Sequence, residues 1–178
     1  NKLKKENYIV EIAKTSQEID VFVDIYRETM ERVNAKENYF FDKDYFHIFL
    51  NNPCFASKLF LAKKEGEVIA GAIFTITNKI MQYHLAGTKL EYIRKTPMKL
   101  ILDEARLLGN ELNLDYLHLG GGVGGSDDDS LYKFKAGFSD LNFSYKVWQF
   151  ISNQEVYDQL VEQKNKNTNS SFFPLYRA

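Results

Sequence analysis

The stretch TPMKLILDEARLLGNELNLDYLHLGGGVGG, residues 96–125, decides the fold. Thr96 is a good N-cap, and Pro97 suits the first helical position, where its missing N–H has no intrahelical partner to lose. Met98, Ile101, Ala105, Leu108 and Leu112 recur every three or four residues, which gives a helix one apolar face. Asn113 ends the pattern. Tyr116–Leu119 then reads as a short strand running into a cluster of glycines. A helix of this length between two strands is the crossover that a parallel pair requires.

Upstream of that crossover the pattern changes. Tyr8–Ala13 alternates as a strand, and Thr15 or Ser16 caps a helix whose apolar positions are Ile19, Phe22, Ile25, Tyr26, Met30 and Val33. Asn38–Phe41 is an aromatic turn. A second helix carries Tyr45, Phe46, Phe49 and Leu50 and stops at Pro53, which cannot continue the backbone ladder. Lys58–Lys63, Val68–Thr77 and Met81–Ala86 read as three strands joined by turns at Lys64-Glu65-Gly66 and near Asn78. Short turns make these three an antiparallel meander.

Downstream, Asp127–Asp129 caps a short helix over Ser130–Ala136, with Gly137 expected to stop it at positive φ. Phe143–Ile151 reads as a strand and Gln154–Gln163 as a last helix, before a polar tract at Lys164–Ser171. The order is β-α-α-β-β-β-α-β-α-β-α. It predicts an α/β fold with a mixed central sheet and helices on both faces.

The composition narrows the function. The chain has 178 residues, 23 Lys and Arg against 24 Asp and Glu, and one Cys. One domain over residues 1–178 is the expectation from length. A lone Cys excludes an internal disulfide framework and a cysteine-only metal site. The near-neutral balance argues against nucleic-acid binding by bulk charge, although Lys89, Arg94, Lys95 and Lys99 make a local basic stretch. No apolar run is long enough to cross a bilayer, and no signal-peptide core is visible. A cytoplasmic location is expected. The chain opens on Asn1, which points to a processed or excised piece.

Two groups of residues carry chemistry. Gly120–Gly125 holds five glycines in six positions between a strand and a helix, and its N–H groups suit an oxyanion or phosphate. His84 and His118 are the titratable candidates for a proton acceptor near neutral pH. On strict alternation Gln82, His84 and Ala86 share one sheet face, and Tyr116 and His118 share one face of the next strand. His47, in the aromatic helix, reads as structural. The histidines and the Cys have no zinc spacing, so no metal is expected.

The element order resembles the GNAT N-acyltransferase fold, in which the strands flanking the crossover splay at the reaction centre. A more specific resemblance lies in Leu85-Ala-Gly-Thr88, Pro97–Leu112, His118-Leu-Gly-Gly-Gly-Val-Gly-Gly125 and Ser130-Leu-Tyr-Lys-Phe-Lys-Ala-Gly-Phe138. These segments are similar to the C-terminal domain of the FemABX family, the aminoacyltransferases of peptidoglycan cross-bridges. That resemblance implies an aminoacyl-tRNA donor, a cell-envelope precursor amine as acceptor, and a partner domain preceding this one. It implies that Lys135 faces the donor beside Phe134 and stabilises charge. It also implies that Gly121, Gly122, Gly124 and Gly125 line the substrate, and that Tyr39 flanks the acceptor groove. His84 or His118 would be the base. GNAT enzymes that use acyl-CoA carry an Arg/Gln-x-x-Gly-x-Gly/Ala turn before the crossover helix. Here Gly87–Pro97 lacks that glycine pair. Acyl-CoA-dependent transfer to an amino-sugar or related small amine is the alternative enzyme reading. A non-catalytic precursor-binding module is the rival from another class.

Overall fold

Five strands make one sheet in chain order, in a computed structural model that describes residues 2–122, 128–164, 170 and 172–177. The strands are β1 (Tyr8–Ile12), β2 (Ala56–Lys64), β3 (Glu67–Thr77), β4 (Ile80–Thr88) and β5 (Tyr116–His118). The first four are antiparallel neighbours, and β5 joins β4 in parallel. The helices are α1 (Lys2–Lys5), α2 (Ser16–Arg32), α3 (Lys43–Leu50), α4 (Met98–Glu111), α5 (Ser130–Ala136) and α6 (Gln154–Gln163). The chain divides into two compact units, at residues 1–138 and 139–178, and the sheet belongs to the first.

Local chemistry explains these boundaries. Both meander hairpins turn on two residues at positive φ, Glu65 and Gly66 in one and Asn78 and Lys79 in the other. That pairing matches the right-handed twist of the strands it joins. α2 starts with a capping box: Thr15 Oγ1 accepts from the Glu18 N–H, and the Glu18 carboxylate accepts from the Thr15 N–H. α2 and α4 end alike. Asn34 and Asn113 take φ of 49° and 52°, and the next N–H reaches back to Met30 O and Gly109 O. This C-terminal motif usually takes Gly, and Asn is the residue that best tolerates replacing it.

The sheet separates two apolar clusters. Phe22, Ile25, Tyr26, Phe46, Leu61 and Ile73 form the one under α2 and α3. Phe60, Ile69, Phe74, Met81, Leu100 and Ile101 form the one under α4. Gly87 lets α2 lie against β4. A Cβ there would stand 2.9 Å from Ile25 O and from Tyr26 Cα.

Three expectations change. Thr96 does not cap α4; it sits at φ 53°, ends the 3₁₀ turn Leu90–Lys95 with its N–H on Ile93 O, and leaves Pro97 at the N-cap. Gly137 has φ −68°, because the N–H groups of Gly137 and Phe138 bond to Lys133 O and Lys135 O in a right-handed turn. Phe143–Ile151 belongs to no strand among the described residues. Its side chains face solvent, Tyr145 at 90% and Trp148 at 85% exposure. Alternation specifies what a strand would bury, but a strand also needs a neighbouring backbone.

Gly87→Ala should cost about 1–3 kcal/mol or more, since both obstructing groups are helix backbone. Gly109→Ala, inside α4 with open space around it, should gain up to about 1 kcal/mol. Thermal unfolding of the two variants checks this: the melting temperatures must move in opposite directions.

Candidate functional site

β4 and β5 form a fork. Ile80 faces Tyr116, Met81 faces Leu117, and Gln82 faces His118; there the pairing stops, while β4 continues to Thr88. On the other side of β4 the register with β3 slips. Ile73 faces Leu85 and Phe74 faces Tyr83, so His84 is the extra residue of a β-bulge. Beyond Gln82, no strand among the described residues covers the β5 side of β4.

The bulge re-aims the side chains. Tyr83 and Ala86 pack with the α4 cluster, whereas Leu85 packs with the α2–α3 cluster. The expectation that Gln82, His84 and Ala86 share a face is therefore corrected. The bulge inserts one residue, and every later side chain changes sides. His84 turns to α3, where its ring stacks on Phe49 at 4.8 Å and its Nε2 lies 3.3 Å from the Tyr45 hydroxyl. His84 stays partly exposed to solvent, and desolvation by these rings lowers its pKa from the usual 6.5. Tyr45 in turn stacks on Phe41 at 4.1 Å. Burial raises its pKa, which keeps the phenol protonated.

His118 is exposed, beside Gln82. Leu117 and Leu119 pack with the α4 cluster, so alternation puts His118 on the opposite face, the one His84 takes. The two histidines thus share one face of the sheet near the opening of the fork.

Lys135 lies elsewhere. Its Nζ donates to Gly121 O at 2.8 Å and sits 5.4 Å over the ring of Tyr83, the neighbour of His84 that faces α4. Burial lowers its pKa, against the opposing pull of Asp129. Its ammonium therefore straps the glycine loop. Gly120 has φ 73°, a left-handed conformation that favours glycine. A Cβ on Gly122 would collide with the Asp129 carboxylate, which caps α5 through the Tyr132 N–H. Gly124 and Gly125, like Asp127, lie outside the described residues. Phe134 packs against the α4 cluster and stacks edge-on with Phe138 at 5.3 Å, so its ring is a core contact. Tyr39 is half exposed, and its carbonyl accepts from the Tyr26 hydroxyl. His47 ties α3 to α2 through Asp20 at 2.8 Å. Within the basic stretch, Lys89 pairs with Glu67 and Lys95 with Glu6.

Among the described residues, no group of three or more His, Cys, Asp and Glu could hold a metal ion. None of the described helices is long and apolar enough to cross a membrane. A cavity of about 200 Å³ is lined by Lys14, Thr15, Leu50, Ser57 and Lys58 among others. Tyr45 and Phe49 are the site residues that sequence reasoning read only as core. Their helical spacing signals burial, and nothing local reveals a histidine opposite them.

No protein-family model matches the sequence, and no curated protein matches it. Solved structures do match. One is a protein from Clostridium difficile 630 described as a possible acetyltransferase, at 13% identity and TM-score 0.60, covering 82% of this chain and 98% of that one. Another is the ribosomal-protein-alanine N-acetyltransferase of Brucella melitensis biovar Abortus 2308, at 14% identity and TM-score 0.60, covering 80% and 99%. A third is an aminoglycoside acetyltransferase from an uncultured soil metagenomic sample, solved with sisomicin, at 11% identity and TM-score 0.61, covering 82% and 97%. At such identities the likeness is one of fold. The chain has the GNAT acetyltransferase fold, a mixed five-stranded sheet flanked by helices.

The lowered pKa of His84 has a sign that can be measured. Below pH 6.5 the unfolded chain binds a proton at this ring that the folded chain resists. His84 therefore costs stability as pH falls from 6.5 toward its folded value. Denaturant melts of the wild type and His84→Phe across that window should show a shallower fall in the variant. Parallel curves would contradict the assignment.

Proposed function

We propose that this chain is an acyltransferase domain that moves an aminoacyl group from the end of aminoacyl-tRNA to an amine of a cell-envelope precursor. The observation that carries acyl transfer is the fork, with His84 turned by the bulge to the α3 side beside it. In the reaction the amine nitrogen attacks the ester carbonyl and gives up a proton, and the carbon–oxygen bond to the ribose breaks. The proton goes to His84, with His118 as the second candidate on the same face. The oxyanion is met by the amides of Gly121 and Gly122, which follow β5. Lys135 holds that loop by the Gly121 carbonyl and keeps a positive charge beside it.

The start of α4 supports the choice of donor. An open helix N-terminus with free N–H groups is a good seat for a diphosphate. Here Pro97 has no N–H, and both Pro97 and Met98 are buried. The Lys99 N–H bonds to Thr96 O at 3.1 Å and the Leu100 N–H to Pro97 O at 2.9 Å. These groups are already used, which favours a donor that does not anchor a diphosphate there. The acceptor rests on the resemblance of the glycine stretch and Phe134–Phe138 to the FemABX pattern. In this reading a partner domain completes the acceptor site, and the reaction is cytoplasmic. The second reading is acyl-CoA-dependent transfer to a small amine. It is favoured by the acetyltransferase descriptions of the solved structures that share the fold.

Calorimetric titration separates the two donors. Saturable binding of a non-hydrolysable aminoacyl-adenosine, with none for acetyl-CoA, is expected; saturable acetyl-CoA binding would overturn the donor assignment. With a working donor, His84→Gln should slow transfer by about 10²–10⁴-fold, and unchanged turnover would remove His84 as base.

A further inference from the structure

The aromatic wall on α3 does more than fill space. Tyr45 and Phe49 lie four residues apart on one helical face, and both contact His84. Phe49 covers the ring face, and Tyr45 meets its edge at Nε2. The Tyr45 ring is itself clamped, stacked on Phe41 and edge-on to Phe46 at 5.3 Å. Phe46 is fully buried, so α3 is anchored at the residue beside Tyr45. The hydroxyl thus stands at the end of a rigid support, aimed at one nitrogen.

We propose that Tyr45 sets the tautomer of His84 and relays the substrate proton to it. The proposal rests on His84 being the base of the acyl-transfer reading. Imidazole nitrogen is a far better acceptor than phenol oxygen, so the Tyr45 O–H donates and Nε2 accepts. The ring proton then resides on Nδ1. The Nε2 lone pair points at Tyr45, so a proton leaving the amine reaches it through the hydroxyl. The amine gives its proton to the Tyr45 oxygen as Tyr45 gives its own to Nε2. The balance is one proton moved from amine to imidazole, with Tyr45 restored. A free tyrosinate is not needed, which suits a phenol desolvated by its neighbours. Tyr45 is the hydrogen-bond partner of His84 and Phe49 its stacking partner.

Tyr45→Phe keeps the ring stack and removes only the hydroxyl. The first readout is ¹⁵N NMR of the His84 ring in the resting protein, which needs no substrate. The wild type should show the Nδ1–H form. The variant should show the Nε2–H form in majority. An unchanged tautomer would overturn the proposal whether or not the protein transfers anything. Failure of transfer with the tautomer switch intact would instead count against the acyl-transfer reading alone. The second readout is kcat with a working donor, expected to fall at least tenfold with KM little changed. A tautomer switch without loss of kcat would overturn the relay. Circular dichroism confirms that the variant is folded, and Phe49→Leu, which removes the stack but keeps the hydroxyl, should leave the tautomer as in the wild type.

Discussion

β4 carries one residue more than β3 can face, and it loses β5 after three paired positions. The rest of the site depends on this mismatch. The bulge puts His84 and Leu85 on the same side, so the strand delivers a titratable ring and an apolar anchor to α3 together. The anchor joins the core under α2 and α3 and fixes the ring's height. The fork opens beside it and leaves strand backbone uncovered without exposing the core.

The helices can hold this arrangement because two glycines let α2 come close. At Gly87 an added Cβ would meet α2 backbone, and at Gly71 it would meet the ring of Phe22 at 2.5 Å. The two obstacles differ in kind, since a ring can rotate and a helix backbone cannot. Thr29 and Arg32 on α2 then bond to the Thr88 carbonyl and tie down the end of β4. Among the described residues no polar or charged residue is fully buried. The charges sit at the margins of the sheet, so proton chemistry is confined to half-covered places such as His84 and Lys135.

Much of the fold was legible in the sequence. The crossover helix, the capped start of α2 and the meander with its two turns follow from local patterns, and the structure has them. What was not legible has a common cause. A bulge is a mismatch between two strands and leaves no trace in one, so alternation placed Ala86 on the wrong face. Thr96 looks like a cap, yet the preceding 3₁₀ turn already uses it for a left-handed reversal. Phe143–Ile151 has the composition of a strand and lacks one in the described structure. Of the site, both histidines were legible as residue types. Their placement on one face, the Tyr45 contact and the strap from Lys135 to Gly121 depend on long-range geometry.

The central claim is that the fork is where substrates meet. Amide chemical-shift mapping of the whole chain, with the aminoacyl-adenosine analogue and with acetyl-CoA added separately, tests it most directly. The account predicts that the ligand that binds perturbs Gln82–Leu85, Tyr116–Gly122 and the Tyr45–Phe49 face of α3. Perturbation centred instead on the cavity at Lys14, Thr15, Ser57 and Lys58, with the fork silent, would contradict it.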